Sequence, residues 1–560
     1  MKNSTAATVL FLLAISTPSA SQSMETEEAV LELSGASSLE ELSEDAMESY
    51  YSLASHALNI NYASEKRLVA SGLFSRYQAA SLKDYIKMNG PVRSVMELML
   101  VDGFSVRKAE ALAHFVSFEA VPGTGGGPER VTLETSTRAS MKMQDGDALC
   151  NEGMKIRIGR QDRWSLAFAA KNGYDDTLWP PGTLSGSLAV YSKDGKLGLY
   201  AGDFAGRFGQ GLVIWSGFSL SGAQSAASFA KHPSGLSPSW TFSPASVNRG
   251  VAADISLGRM VLSAFWSPSS ASGANLTYLA RYGQFGLTWI DSGKASIDWR
   301  WSTGRLDTFG EGAYDYKSGS PAGLAGCTYN FDYKVALSAL ARYYSSGYDG
   351  SFAGAFRSST KTSDEKGVAL AFDCESFTLT ADAAFHPSKG TSQHKAVVKC
   401  SPMITDVLGC SLRGVLRYRP QDSHEWREEI RSELKLQLLS GMMLAGGVEL
   451  CKCMEPSWLV YGDAGYSKGS DAGKWHVFLH LTAFKVDNWD DRIYLYERDI
   501  PGAFSVPAYY GRGYSISCTA AYKWRRGRSI NFKVSNLGYP GMTEKKPGRT
   551  ELKCLFVWNL

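Results

Sequence analysis

Beyond residue 130 the chain alternates. In Ser296–Trp301, Ile297, Trp299 and Trp301 fall on one side and Asp298 and Arg300 on the other. In Ser529–Ser535, Ile530, Phe532 and Val534 alternate with Asn531 and Lys533; in Leu276–Tyr282, Leu276, Tyr278, Ala280 and Tyr282 share a face with Arg281 opposite. A period of two marks β-strands. Segments of this kind, separated by Gly, Ser, Asp, Asn and Lys, run on with almost no helical interruption. Polar faces carry Arg, Lys, Asp, Ser and Gly, while Trp and Tyr crowd the segment ends (Trp164, Trp179, Trp215, Tyr343, Tyr344, Tyr509, Tyr510). Apolar residues turned out to lipid, polar residues turned in and aromatics at both rims describe a barrel in an outer membrane better than a solvated sheet. The pattern therefore predicts a mainly β chain: a large transmembrane antiparallel β-barrel over 131–560, of roughly 16–22 strands at roughly 20 residues per strand and turn. A lumen that wide is normally filled. Gly206–Asn248, the longest stretch without alternation and dense in Gly, Ser, Ala and Pro, is the candidate plug.

The periodicity before the barrel is helical. Residues 56–120 contain two half-units, each a short helix, a Gly turn and a second helix, turning at Gly72-Leu73-Phe74 and Gly103-Phe104-Ser105, roughly 30 residues apart. Ser75 and Ser105 stand where they can cap the next helix, and Arg76, Arg107 and Lys108 follow in its first turn. Ala109, Leu112, Ala113 and Val116 give the last helix one face to bury. Asn89-Gly90-Pro91 separates the halves. Upstream, residues 24–55 are acidic, with leucines threaded through them, and read as a helical linker with a solvated charged face. Residues 1–23 read as a secretory leader: Lys2, a short apolar run Val9–Ile15, then small residues. Residues 121–130 are a Gly/Pro linker.

The turns, with the entry Leu58-Asn59-Ile60-Asn61-Tyr62-Ala63-Ser64, resemble a ComEA-type tandem helix-hairpin-helix module. In that family a Gly-hydrophobic-Gly turn aims its amides at a DNA phosphate. This chain keeps the first glycine of each turn and has Phe74 and Ser105 in place of the second. The resemblance implies Gly72, Ser75, Arg76, Gly103, Ser105, Arg107 and Lys108 as DNA-phosphate contacts, with the two basic helix starts exposed. The runs Gly202–Phe218, Asp491–Glu497 and Phe504–Gly513 together with this module resemble exported helix-hairpin-helix outer-membrane β-barrel proteins of Bacteroidota. The closing alternation, with Phe556, Trp558 and Leu560 on its last apolar face, resembles the C-terminal signal read by the barrel assembly machinery, Leu560 standing for the usual Phe. Location in the outer membrane, in contact with its lipid, with the module in the periplasm, follows from these resemblances.

Composition adds little. A net charge of +3 gives no polyanion signal for the whole chain, and in Leu58–Val116 bases only mildly outnumber acids. The nine cysteines all follow the linker, in no zinc spacing, and read as small strand residues. His476 and His480 have the spacing of a helical metal pair, yet Lys474–Leu481 alternates, so both face one side of a strand. The adjacent acids Asp175-Asp176, Asp490-Asp491 and Glu428-Glu429 go to opposite faces of a strand. No catalytic constellation and no cofactor motif results. Two functions remain open: an outer-membrane barrel whose periplasmic hairpins hold DNA non-specifically, for DNA handling or uptake, or a transport or structural barrel whose hairpins dock a periplasmic protein or the cell wall.

Overall fold

The computed structural model describes residues 26–119 and 131–559, apart from 56, 145, 161–162, 175, 177–179, 221, 243–246, 333, 406, 421, 423, 439–440, 470–472, 525–527 and 541–547. The expected leader, the Gly/Pro linker and Leu560 lie outside these residues.

Alternation becomes a closed antiparallel barrel. Twenty-five strands join one sheet, and Gly235–Pro238 attaches to the inner end of Leu197–Arg207 as a side branch, which leaves 24 in the ring among the described residues. Arg549–Asn559 pairs with Val131–Gln144 and closes it. The count exceeds the 16–22 expected because many hairpins turn in two residues, such as 258–259, 281–282 and 304–305. Gly258 and Gly304 supply the positive φ that such tight turns need.

The wall is inside out relative to a soluble protein. Ile297 is 61% exposed and its neighbour Asp298 is 3% exposed; Phe532 is 47% exposed and Lys533 is 2% exposed. Along Met260–Trp266, Met260, Leu262 and Trp266 face out while Val261, Ser263 and Phe265 face in. Phe556 faces out, and the alternation of Arg549–Asn559 puts Leu552 and Trp558 on the same side. His476 and His480 both face inward, His480 bound to Asp463 at 2.8 Å and His476 to Ser467 at 2.8 Å.

The helical region forms one body. Its helices are α1 (Thr26–Ser34), α2 (Glu44–Ser55), α3 (Glu65–Ala70), α4 (Arg76–Asn89), α5 (Val95–Leu98) and α6 (Val106–Leu112). Ser64, Ser75, Ser94 and Ser105 each cap the helix that follows, Ser75 through a full capping box with Gln78. Asn61 explains the Leu-Asn-Ile-Asn entry. Its side-chain amide donates to the Val92 carbonyl at 2.9 Å and its carbonyl oxygen accepts the Val92 amide at 2.8 Å, which ties the two half-units together. Residues 26–55 are not a linker: Ala29, Val30, Leu39, Leu42 and Met47 enter the same core as Leu68, Phe74, Leu98, Leu112 and Phe115.

This body does not stand apart from the barrel. Its side chains meet inward-facing residues of strands spread around the ring, Thr277 and Ser263 on one side, Arg431 across from them, and Arg138 and Lys155 between the two. It fills the lumen. The domain expected in the periplasm lies inside the ring, against its wall.

Candidate plug–wall interface

The chemistry of the interface starts from one side of the wall. On Thr391–Cys400, Leu408–Tyr418 and Trp426–Gln437 the inward positions carry Lys395, Lys399, Arg413, Arg417, Arg427 and Arg431. Register places Lys395 opposite Arg417, Lys399 opposite Arg413, Arg413 opposite Arg431 and Arg417 opposite Arg427. Like charges directly across a ladder repel, and in a lumen shielded from bulk water the repulsion is amplified. Counter-charge must come from somewhere.

Part comes from the wall itself. Glu429 pairs with Arg427 at 2.5 Å and Glu449 with Arg431 at 2.6 Å. The rest comes from the acidic N-terminal segment. Glu40 meets Arg431 at 2.7 Å, and Glu41 lies 3.8 Å from both Lys395 and Arg413. Around the ring, Glu44 pairs with Arg138 at 2.7 Å and Glu48 with Lys155 at 2.5 Å. Glu27 meets Arg498, on the inner segment between the last barrel hairpins, at 3.3 Å. Burial pushes the Glu40 carboxyl up, but Arg431, Arg413 and the Tyr496 amide outweigh it and hold the group down at about 2. Across the lumen the sign reverses: Lys66 of α3 pairs with Asp254 of the wall at 2.9 Å.

The stretch 206–248 and the loop 345–364 complete the filling. Glu311 of the wall accepts the Gln210 and Leu212 amides at 2.6 and 3.0 Å, and Tyr348 donates to the Leu212 carbonyl at 2.9 Å. Phe242 is set among Arg138, Lys155 and Lys171, whose cationic ends lie 5.1, 4.3 and 5.7 Å from its ring centre. Contact with the helical body runs through Ser37, which donates to Gln224 at 2.7 Å, and Ser225, which donates to the Gly35 carbonyl at 2.9 Å.

The residues singled out for DNA phosphate serve this packing. Arg76 is buried and donates to Ser263 at 2.9 Å and Thr277 at 3.3 Å. Arg107 is half-buried against Glu32 at 3.4 Å. Lys108 is half-buried, with its amine 3.3 Å from Gln78 Oε1 and 3.4 Å from His232 Nε2. Burial first, then the nearby Arg300, lower the Lys108 amine to about 7 despite Glu32 and Asp307. Ser75 is buried in its capping box. Gly103 accepts the Gln78 side-chain amide at 2.7 Å, and a side chain there would meet the Tyr77 ring. Gly72 faces Arg207, and of the set Gly72 and Ser105 are exposed. The expected exposure of Arg76, Arg107 and Lys108 is therefore corrected: a module inside a barrel has walls where a free one has solvent. A duplex phosphate cannot reach Arg76 while the module is seated.

The glutamates that carry the interface read in sequence as a solvated face. Their signal was the complement: an acidic segment upstream and basic residues recurring at strand spacing far downstream.

No protein-family model matches the chain, and no curated protein matches it. Among solved structures it is similar to Pseudomonas aeruginosa OccK3 (OpdO), at 9% identity and a TM-score of 0.30, over 77% of this chain and 96% of that one. It is similar also to the outer membrane protein opdK of Pseudomonas aeruginosa, at 8% and 0.29, over 77% and 100%. Acinetobacter baumannii OccAB4 gives 8% and 0.29, over 78% and 100%. At these values the likeness carries no argument about activity or substrate.

Proposed function

We propose that this chain is an outer-membrane channel of the transport kind, closed by its own N-terminal helical body, and that the glutamate–cation layer is the latch. The membrane location is supported by the apolar outer wall of Ile297, Leu262, Phe532 and their counterparts set against a polar lumen. The observation that carries the closure is the seating of Glu40, Glu41, Glu44 and Glu48 on Arg431, Arg413, Arg138 and Lys155. Charged contacts suit a closure that must open, because salt and competing ions weaken them while a dry apolar contact is indifferent to both. The alternative of DNA held at the barrel mouth has no comparable support, since its residues are occupied. Docking of a periplasmic protein or the cell wall would fall to the uncovered apolar residues of the body, Met88, Met96 and Leu100.

Planar-bilayer recording tests the channel. The full chain should show small, rare openings, and a chain lacking 26–118 should show a steady conductance several times larger. Equal conductance for the two would sink the closure.

A further inference from the structure

We infer that the lumen holds a binding site for a small organic oxyanion, in the cavity where the basic wall runs past the end of the acidic segment. The cavity measures about 110 Å³ and is lined by Glu41, Ser358, Gln393, Lys395, Arg417 and Arg419, among others. That is far above the roughly 10–15 Å³ that admits one water, and too small for a polymer.

Its electrostatics are unfinished. Lys395 has Glu41 at 3.8 Å and Arg417 has Glu429 at 3.8 Å, both beyond hydrogen-bond reach. The Nε atom of Arg417, which lines the cavity, is buried with no hydrogen-bond partner among the described residues. The acid that also lines the space, Asp382, is taken: Arg342 binds it at 2.8 Å and Ser358 donates to it. Lys395 and Arg417 stand directly opposite each other on neighbouring strands, and Arg419 follows on the same face. Three cations thus converge on a space whose carboxylates are distant or committed. A buried guanidinium N–H left unmet is costly, and an anion set between Lys395 and Arg417 satisfies it.

The chain itself shows which chemistry this wall accepts, since Glu40 and Glu41 occupy the next places along the same basic columns. A carboxylate-bearing molecule is the natural addition. Seated beside Glu41, it competes for Lys395 and repels the latch, so binding and loosening are coupled. The anion's role as cargo or release signal rests on the channel reading; its binding does not.

Calorimetry on the full chain in detergent tests the site, with succinate as probe, inorganic phosphate as a second arm and uncharged succinamide as control. Succinate should bind saturably and succinamide should not. Phosphate binding as well would widen the class to oxyanions in general. Arg417→Gln touches no plug–wall ion pair and should weaken succinate at least tenfold, as should Lys395→Gln, with folding of each checked by heat-modifiable gel migration. Absence of saturable heat from succinate, or affinity unchanged in both folded variants, overturns the site. A silent bilayer with intact succinate binding would overturn the channel and leave the site standing.

Discussion

At the scale of single residues the interface is set by charges that have nowhere else to go. Arg431 lies between Glu40 at 2.7 Å and Glu449 at 2.6 Å. Removing it leaves two carboxylates facing each other in a shielded lumen, so Arg431→Ala should cost on the order of 3–5 kcal/mol, read as a lower unfolding temperature or easier proteolysis of the helical body. Glu40→Gln should cost less, because the Tyr496 amide still finds an oxygen there. The pH dependence has a fixed sign. Glu40 sits at about 2 when seated against an ordinary value of 4.5, so its contribution is complete above 4.5 and is lost as pH falls from there toward 2. Lys108 sits at about 7 against 10.5, so its burial penalty is complete below 7 and is relieved as pH rises from 7 to 10.5. Seating should therefore strengthen with pH in both windows, and protease protection of 26–118 followed from pH 2.5 to 10 measures it. A flat profile between 2.5 and 4.5 would remove Glu40 from the latch. Gly35 is a separate kind of constraint. Its φ is +76°, and a side chain would lie 2.6 Å from the Ser228 amide nitrogen. Gly35→Ala should cost roughly 1–3 kcal/mol and loosen the body from the stretch 206–248 while leaving the barrel intact.

At the scale of elements, legibility in the sequence follows what local chemistry can specify. The strands were legible because a period of two survives in any wall with unlike faces, as at Ile297–Asp298 and Phe532–Lys533. The helix caps at Ser75 and Ser105 were legible because a cap is decided within four residues. Placement was not. Glu40 and Arg431 are 391 residues apart, and nothing local announces that an acidic helix and a basic strand face one another. For the same reason Arg76 read as a phosphate contact: the residue type and its place at a helix start are right for that role, and only the wall beyond them excludes it. The segment 26–55 is the element on which the proposed closure turns. Replacing Glu40, Glu41, Glu44 and Glu48 with Gln together should preserve helicity by circular dichroism, since none of the four is a helix-core residue. It should raise the open probability in bilayers severalfold and weaken its dependence on salt, because most of the salt-sensitive contacts would be gone. Undiminished salt dependence would assign the latch to the pairs left in place, Lys66–Asp254 and Glu27–Arg498.

At the scale of the whole molecule, closure of the ring decides whether anything else forms, since an open edge strand in lipid leaves a row of unmet amides and carbonyls. The seam is Arg549–Asn559 on Val131–Gln144, in register from Arg549 with Gln144 to Asn559 with Glu134. Removing residues 556–560 deletes the pairings of Phe556, Val557, Trp558 and Asn559 with Thr137, Ser136, Thr135 and Glu134, and with them the outward Phe556. The edge so exposed cannot be satisfied by the helical body, which meets the wall through side chains such as Glu44 on Arg138 and not through strand pairing. The intact chain should therefore sediment with outer membranes and run faster on gels before boiling than after, as a closed barrel does. The truncated chain should lose the unboiled form and fall to a small fraction of the wild-type level in the membrane. Recovery of the intact chain as a soluble protein would refute the membrane reading altogether. A truncated chain that still shows the heat-dependent shift would mean that the ring closes by sliding Arg528–Gly538 or the shortened strand into a new register, which loss of the native crosslink between paired cysteines at 143 and 550 would then reveal.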